Sequence, residues 1–329
     1  MLLYSGVTKI TEALSKMREL VLSWNLKDAV KFAETESGLK ALAALLNDSN
    51  QRVRLRALSV LSEILRRGKF NRNELLELFF EPLLQLINCG DEKTCLRALP
   101  VLRELVKDTH LQLAEFEKLM TTLFSLAEEC GGVAWNEVVE LLKATPILVM
   151  PESLGSLARD YLKSNNPRAA VLGAYLMVQS GDPLDDISPE FSSVIHSAFQ
   201  CSDLSTVELA FMGIGELLRA PPMYPLDTIL LSIVPALRRI SEESEDVTIR
   251  HRAREMLNAL LDELRMYYQK NPWELERSVR HLVKENRKED AILIASLLGD
   301  TSILFMAENT GPFSKSGSQK FKAVGEREV

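Results

Sequence analysis

The chain is poor in the residues that build cross-linked or metal-held frameworks. Its 329 residues include only 4 cysteines and 4 histidines. The cysteines form no Cys-x-x-Cys pair and show no spacing typical of a zinc site; they are Cys89, Cys95, Cys130 and Cys201. Four cysteines in so long a chain do not make a disulfide framework, so we predict a reducing, cytoplasmic compartment. We predict neither a metal nor a cofactor.

Sequence motifs that carry catalysis are also missing. The chain contains no His-Glu-x-x-His, no phosphate-binding Gly-x-x-x-x-Gly-Lys and no Gly-x-Ser-x-Gly. A Gly-x-Gly occurs in "MGIGELL", but it lies inside a helical pattern, where glycines favour close helix packing rather than phosphate binding. No constellation of residues suggests a nucleophile, an acid or a base. We therefore predict that the protein is not an enzyme.

Long apolar runs and an excess of positive charge are absent as well. The nearest approach to a membrane span, Ala291 to Ala307, is interrupted by Gly299 and Asp300 and is short for a span. The first residues show no signal-peptide pattern. The formal net charge is -7, which is unusual for a chain whose whole surface binds nucleic acid. These features predict no membrane association and leave only a local basic face for nucleic acid.

What the sequence has in abundance is helical periodicity. Apolar residues recur at the helix period in nearly every segment, and sustained alternation typical of strands is missing. Short breaks rich in Gly, Pro, Asn, Asp or Ser separate segments of helical length. Many short-looped helices in series predict antiparallel helical hairpins stacked side by side. The predicted fold class is all-α.

A short motif recurs along these hairpins. Val53-Arg54-x-x-Ala57 is repeated as Ile249-Arg250-x-x-Ala253, with weaker echoes at Leu96-Arg97 and Pro167-Arg168. The intervals fit a unit of roughly 40 residues, the length of one helical hairpin in several repeat families.

The stretch "ALAALLNDSNQRVRLRALSVL" resembles a HEAT repeat, and Pro82 and Pro235 stand where that family often places a proline in its first helix. The resemblance implies a right-handed α-α superhelix of about seven hairpins that binds other macromolecules. We predict an N-terminal helical cap at 1–35, a repeat array at 36–308 and a flexible tail at 309–329. The predicted first helices begin near Ser37, Asn73, Leu111, Glu152, Ser188, Leu226 and Trp273.

Arginines crowd the segment "NDSNQRVRLRAL". The resemblance implies that Arg54 is structural and pairs with an aspartate of a neighbouring repeat. Arg52 and Arg56 fall on the outer face of the helix, by periodicity, and are predicted to be exposed. Together with nearby cations they form a candidate anion-binding patch, for which a solvated charged face is the alternative. The predicted patch consists of Arg52, Arg56, Arg66, Arg67, Lys69 and Arg72.

Two central helical segments are apolar on every side. "RAAVLGAYLMVQSG" and "VELAFMGIGELL" lack the polar stripe expected of a solvent-facing helix. Either these segments are buried on all sides or they present an apolar partner surface. The second possibility gives candidate partner-binding residues Tyr175, Met177, Phe211 and Met212. The resulting hypothesis is a non-catalytic scaffold that binds a protein through a concave or apolar groove; the alternative is a nucleic-acid-binding module that uses the basic face of the first repeats.

Overall fold

The computed structural model of the chain describes residues 2–88, 91–145, 151–180, 188–219, 226–296, 299 and 303–305. Within these ranges every regular element is helical, which confirms the predicted all-α class. The chain divides into two compact units, Met1–Pro225 and Leu226–Val329. None of the described helices combines the length and apolarity that crossing a membrane requires. The predicted tail at 309–329 lies outside the described residues.

The described residues of the first unit form twelve helices. They are α1 (Leu2–Leu22), α2 (Leu26–Ala33), α3 (Glu36–Leu45), α4 (Gln51–Arg67), α5 (Arg72–Ile87), α6 (Glu92–Val106), α7 (Leu113–Glu129), α8 (Gly132–Ala144), α9 (Glu152–Leu162), α10 (Pro167–Ser180), α11 (Ser188–Phe199) and α12 (Leu204–Arg219). The second unit contains α13 (Leu226–Glu243), α14 (Val247–Lys270), α15 (Pro272–Lys284) and α16 (Lys288–Ser296).

Local signals set where these helices begin. The odd-numbered helices from α3 to α15 start within two residues of the positions predicted for the first helices of seven hairpins. Thr35 caps α3 by accepting a hydrogen bond from the backbone N–H of Gly38 at 3.1 Å, and Asn71 caps α5 in the same manner. Pro82 and Pro235 lie inside the first helices α5 and α13, as the HEAT resemblance implied.

Two layers of helices build the N-terminal part of the first unit. The first helices α3, α5 and α7 pack against one another in order, and the second helices α4, α6 and α8 form the other layer. The core between the layers consists of aliphatic and aromatic side chains, with Phe79, Phe124 and Trp135 among the largest that are fully buried. Each hairpin therefore buries its apolar stripe against its neighbours, as expected of stacked repeats.

The regular order changes after α8. Helix α10 packs against α7, α9, α11 and α12, whereas α12 packs against α8 and α10. The first helix α9 still packs against α7, but α10 also contacts α7, and α12 rather than α10 takes the place beside α8. Every residue from Ala169 to Val178 is buried because helices surround α10. This position explains why its sequence has no polar stripe.

Arginine–aspartate pairs link successive hairpins. Arg54 of α4 lies 3.5 Å from the carboxylate of Asp91, the N-cap residue of α6, and its side chain is 18% exposed. Its guanidinium also donates to the carbonyl oxygens of Asp48 and Ser49. Arg168 of α10 pairs with Asp203, before α12, at 2.8 Å. The predicted structural role of Arg54, pairing with an aspartate of a neighbouring repeat, is confirmed.

We expect Arg54→Ala to lower the free energy of unfolding by about 1–2 kcal/mol, because a largely buried charged group loses three partners. Arg52→Ala is the matched control two residues away on the exposed face, and should stay within about 0.5 kcal/mol. Urea unfolding followed by circular dichroism gives both values. Equal losses at the two positions would contradict the structural role of Arg54.

Candidate docking cleft

An open cleft with a strongly basic lining lies between the N-terminal halves of α4 and α6. Its volume is about 380 Å³. We call it the α4–α6 cleft, and define it by Trp24, Gln51, Arg52, Leu55, Arg56, Ser59, Lys93 and Arg97. None of these described lining residues is acidic. Four cations therefore share one concavity on the layer of second helices.

The register of the two helices brings these cations together. Arg52 and Arg56 are the second and sixth residues of α4, and Lys93 and Arg97 are the second and sixth residues of α6. Residues four apart lie on the same face of a helix. The Gln51 side chain donates to the Asp91 carboxylate at 2.6 Å and so holds the first turns of the two helices side by side. The two basic faces consequently border the same cleft.

One wall of the cleft is an arginine fixed against a tryptophan. The Arg56 guanidinium donates to the carbonyl oxygens of Val21, at 3.2 Å, and Leu22, at the C-terminal end of α1. Its central carbon also lies 5.1 Å from the centre of the Trp24 ring, a cation–π distance. Arg56 is therefore half-buried, and its predicted exposure is wrong because it caps the carbonyl end of α1.

Trp24 stands out because it is large, apolar and 50% exposed. It occupies the turn between α1 and α2 with a φ of 60°, a left-handed conformation that is uncommon for a residue of this size. The backbone N–H groups of Trp24 and Asn25 donate to the carbonyls of Val21 and Leu20, which fixes the turn. The turn holds half of the tryptophan surface in solvent, where it is available to a ligand.

The positive charge of the cleft is not cancelled by carboxylates nearby. In the described part of the chain, no ion pair engages Arg52, Lys93 or Arg97, all of which are exposed. Two carboxylates lie next to Lys93 in the sequence: Glu92 lines a different cleft, and Asp91, the N-cap residue of α6, is already engaged by other groups. Hydrogen bonds from Thr94 and Gln51, with the charge of Arg54, hold the pKa of Asp91 below its ordinary value.

The anion-binding patch predicted from the sequence is divided in the structure. Only Arg52 and Arg56 line the cleft. The other four members are paired within the chain: Arg66 and Arg67 with Glu63, Lys69 with Glu34, and Arg72 with Glu104. Two arginines lower the pKa of Glu63 to about 2, so this carboxylate stays charged and offsets them. Of the six predicted patch residues, Arg52 and Arg56 therefore lie together at the cleft, whereas the charges of the other four are balanced by carboxylates.

The sequence analysis did not predict Lys93 and Arg97 as site residues because they are distant from Arg52 in the sequence. The repeat register could have revealed them. The weak echo at Leu96-Arg97 suggested that Arg97 matches Arg54, but the N-caps Asn50 and Asp91 show that it matches Arg56. Aligning the caps rather than the arginines places Lys93 on Arg52 and Arg97 on Arg56.

The predicted apolar partner groove is not open. Tyr175, Met177 and Phe211 are 5%, 0% and 1% exposed, respectively, because α10 and α12 pack against each other. Burial raises the pKa of Tyr175 to about 12, as expected for a phenol in an apolar interior. An exposed groove at these three positions is therefore wrong, and the alternative of a broad core is correct. Met212 is partly exposed.

A larger cleft of about 660 Å³ lies among α5, α6, α7 and α8, and Cys95 and Cys130 are part of its lining. Burial raises the pKa of the Cys130 thiol, so the thiol is protonated at neutral pH and is a poor nucleophile. Among the described residues, no group of three or more His, Cys, Asp or Glu side chains could hold a metal ion. Cys89 lies outside the described residues.

Comparisons with known proteins show which solved structures have a similar fold. No protein-family model and no curated protein matches the chain. The archaeal HEAT-like repeats protein from Thermococcus onnurineus NA1 is 25% identical and superposes with a TM-score of 0.61, covering 75% of this chain and 96% of that one. A designed armadillo repeat protein is 15% identical, with a TM-score of 0.39, covering 68% of this chain and 99% of its own.

The similarity to the archaeal protein agrees with the helical hairpins of this chain. It confirms the HEAT-like resemblance found in the sequence. The described part of the chain is all-α and is built of HEAT-like helical repeats.

Proposed function

We propose that this chain is a non-catalytic cytoplasmic scaffold that binds another protein, with the α4–α6 cleft as its docking site. The observation that carries the proposal is the set of exposed cations and the exposed tryptophan gathered in one concavity. The side chains of Arg52, Lys93 and Arg97 are exposed and form no ion pair within the described residues. A binding role accounts for their convergence.

The scaffold around the cleft supports this function. The cleft is formed by regular helices whose first turns are joined by the Gln51–Asp91 hydrogen bond and the Arg54–Asp91 ion pair. Arg56 is held by two carbonyl groups and a ring. Groups that are already ordered lose little conformational freedom when a ligand binds, which favours affinity.

Nucleic acid is the weaker candidate for the same surface. A polyanion gains affinity by neutralising many phosphates along its length. Among the described residues of the second helices α4, α6 and α8, the exposed cations without an ion pair lie on α4 and α6. Beyond them, opposite charges bridge the second helices, as Arg103 pairs with Glu137 at 3.3 Å and Lys143 pairs with Glu208 at 3.0 Å. An extended backbone would leave the basic cleft and meet balanced or negative charge.

Capture from nuclease-treated extract tests the proposed function. The bait proteins are the wild type, the cleft variant Arg52→Glu/Arg97→Glu and the control variant Lys40→Glu/Lys118→Glu. The control changes the net charge equally, but its lysines lie on the first helices α3 and α7. These lysines form exposed pairs with Glu36 and Glu81, which contribute little stability.

The expected result is a specific set of proteins, quantified by mass spectrometry, that the wild type and the control variant retain and the cleft variant loses. Equal recovery by all three baits would contradict the docking role of the cleft. Recovery that depends on intact nucleic acid would contradict the preference for a protein partner.

A further inference from the structure

We infer that the α4–α6 cleft recognises an acidic protein segment that carries an apolar side chain among its carboxylates. This inference rests on the proposed function, since it names the chemistry of the partner that the scaffold binds. The carboxylates pair with Arg52, Lys93 and Arg97, and the apolar side chain packs on Trp24 and Leu55. The ligand is therefore a short stretch of Asp or Glu residues around an aliphatic or aromatic anchor.

The spread of the cations favours several carboxylates over one compact anion. Residues four apart on a helix have their side-chain origins about 5–6 Å apart, and packed helices lie about 8–10 Å apart. Arg52 and Arg56 on α4, with Lys93 and Arg97 on α6, therefore mark the corners of a broad rectangle. Carboxylates along a peptide can reach separate corners, whereas one phosphate is too small to contact them all.

The first turns of α4 and α6 also favour carboxylates as ligands. Arg52 and Lys93 are the second residues of their helices and therefore lie in the first turns. The N-terminal end of a helix carries a partial positive charge, which attracts carboxylates. Asp91, the acidic cap of α6, is already bound by Thr94, Gln51 and Arg54. The field in the cleft therefore remains positive despite the acidic balance of the whole chain.

Trp24 and Leu55 provide the apolar part of the site. Half of the tryptophan surface faces solvent, and Leu55 is half-buried and lines the cleft. Tryptophan and arginine are the residues most enriched among the energetically dominant contacts of protein interfaces. An apolar side chain that covers the ring would also exclude water from the neighbouring Arg56, which strengthens its interaction with a carboxylate.

The volume of the cleft limits the length of the recognised segment. About 380 Å³ lies near the lower end of the range for sites that hold a drug-sized molecule. Only a few residues fit inside, and the flanking carboxylates lie at the rim. Because the exposed cations are at the rim, attraction is screened by salt and falls as ionic strength rises.

Binding of synthetic peptides, measured by fluorescence anisotropy, tests the inference. The probe is a labelled ten-residue peptide of glutamates around a central leucine. Three further probes are a peptide with glutamine in place of glutamate, a peptide with alanine in place of leucine, and a ten-nucleotide oligothymidine. The proteins are the full-length wild type, Arg52→Glu/Arg97→Glu and the control Lys40→Glu/Lys118→Glu.

We expect the acidic leucine peptide to bind the wild type and the control equally, and the cleft variant at least about tenfold more weakly. The glutamine peptide should bind the wild type at least about tenfold more weakly than the acidic one. Equal binding of the acidic peptide to the wild type and the cleft variant would overturn the inference. Tighter binding of oligothymidine than of the acidic peptide would overturn it in favour of nucleic acid.

The apolar anchor has its own variant. Trp24→Asn removes the ring but keeps a residue that tolerates the left-handed conformation, so the turn is retained. This change should weaken the leucine peptide several-fold and leave the alanine peptide unaffected. An equal effect on both peptides would show that the leucine side chain does not pack on Trp24.

The peptide-binding experiment and the capture experiment test different claims, and each can fail without the other. If no peptide binds while extract proteins are still captured through the cleft, the acidic-segment inference is wrong and the docking role stands. If the peptides bind but capture does not depend on the cleft, the docking role in the cell is wrong.

Discussion

Replacing Phe211 by alanine should destabilise the first unit by about 3–5 kcal/mol, the usual loss for deleting a phenyl ring from a core. The ring is 1% exposed, and its centroid lies 5.1 Å from that of Phe199. Helices α8, α10 and α11 pack against α12, so the surrounding elements are too constrained to fill the space fully. The lost burial and the remaining cavity both lower stability.

Met212→Ala is the matched control in the next position of the same helix. Met212 is partly exposed, so its removal should cost less than about 1 kcal/mol. Urea unfolding followed by circular dichroism compares the two variants. Similar small losses at both positions would mean that Phe211 faces an open groove, and would restore the apolar docking surface that the sequence suggested.

Gly173→Ala should also destabilise strongly, at the upper end of about 1–3 kcal/mol. A methyl group at this position would lie 2.7 Å from the carbonyl oxygen of Ala158 and 2.9 Å from the backbone nitrogen of Leu162. Both contacts are with the backbone of α9, which has no flexible side chain to move aside. Helices α9 and α10 would therefore have to separate, which would disturb the helix at the centre of the bundle.

Gly213→Ala, in the neighbouring helix α12, should increase stability instead of lowering it. A methyl group there would approach the Cα of Tyr175 at 3.8 Å, an ordinary van der Waals distance. Since alanine is the better helix former, we expect a gain of up to about 1 kcal/mol. Thermal unfolding of both variants checks the pair. Stabilisation by Gly173→Ala would contradict the close packing of α9 on α10.

Where the helices begin could be predicted from the sequence because the signals are local. Capping residues such as Thr35 and Asn71 bond with backbone groups two or three residues away. Apolar periodicity marks the buried face of each helix without knowledge of its neighbour. The seven first-helix starts were therefore found to within two residues.

The position of α10 could not be predicted in the same manner. A helix that is apolar all round is compatible with full burial and with an exposed docking surface, since both remove the polar stripe. The difference depends on which helices surround α10, and those contacts join residues far apart in the chain. Tyr175 and Met177 were assigned to a groove for this reason, and the structure places them in the core.

The members of the basic cleft could be predicted from the sequence only in part. The sequence grouped Arg52 with Arg66 and Arg72, which follow soon after it, but these later arginines pair with carboxylates of the same chain. In space, Arg52 faces Lys93 and Arg97 from the next hairpin. Proximity along the chain was misleading, whereas equivalent positions in successive repeats identify the neighbours in a stacked array.

Site-specific photocrosslinking tests most directly the claim that the α4–α6 cleft docks a protein. A photoreactive benzoylphenylalanine is placed at position 55, in the cleft, and at position 81 on the first helix α5 as the control. After irradiation in native extract, mass spectrometry identifies the crosslinked molecule and the attached peptide. The account predicts a protein crosslinked from position 55 through an acidic segment, and no such product from position 81. Crosslinks of the same protein from both positions, or a nucleic-acid product from position 55, would contradict it.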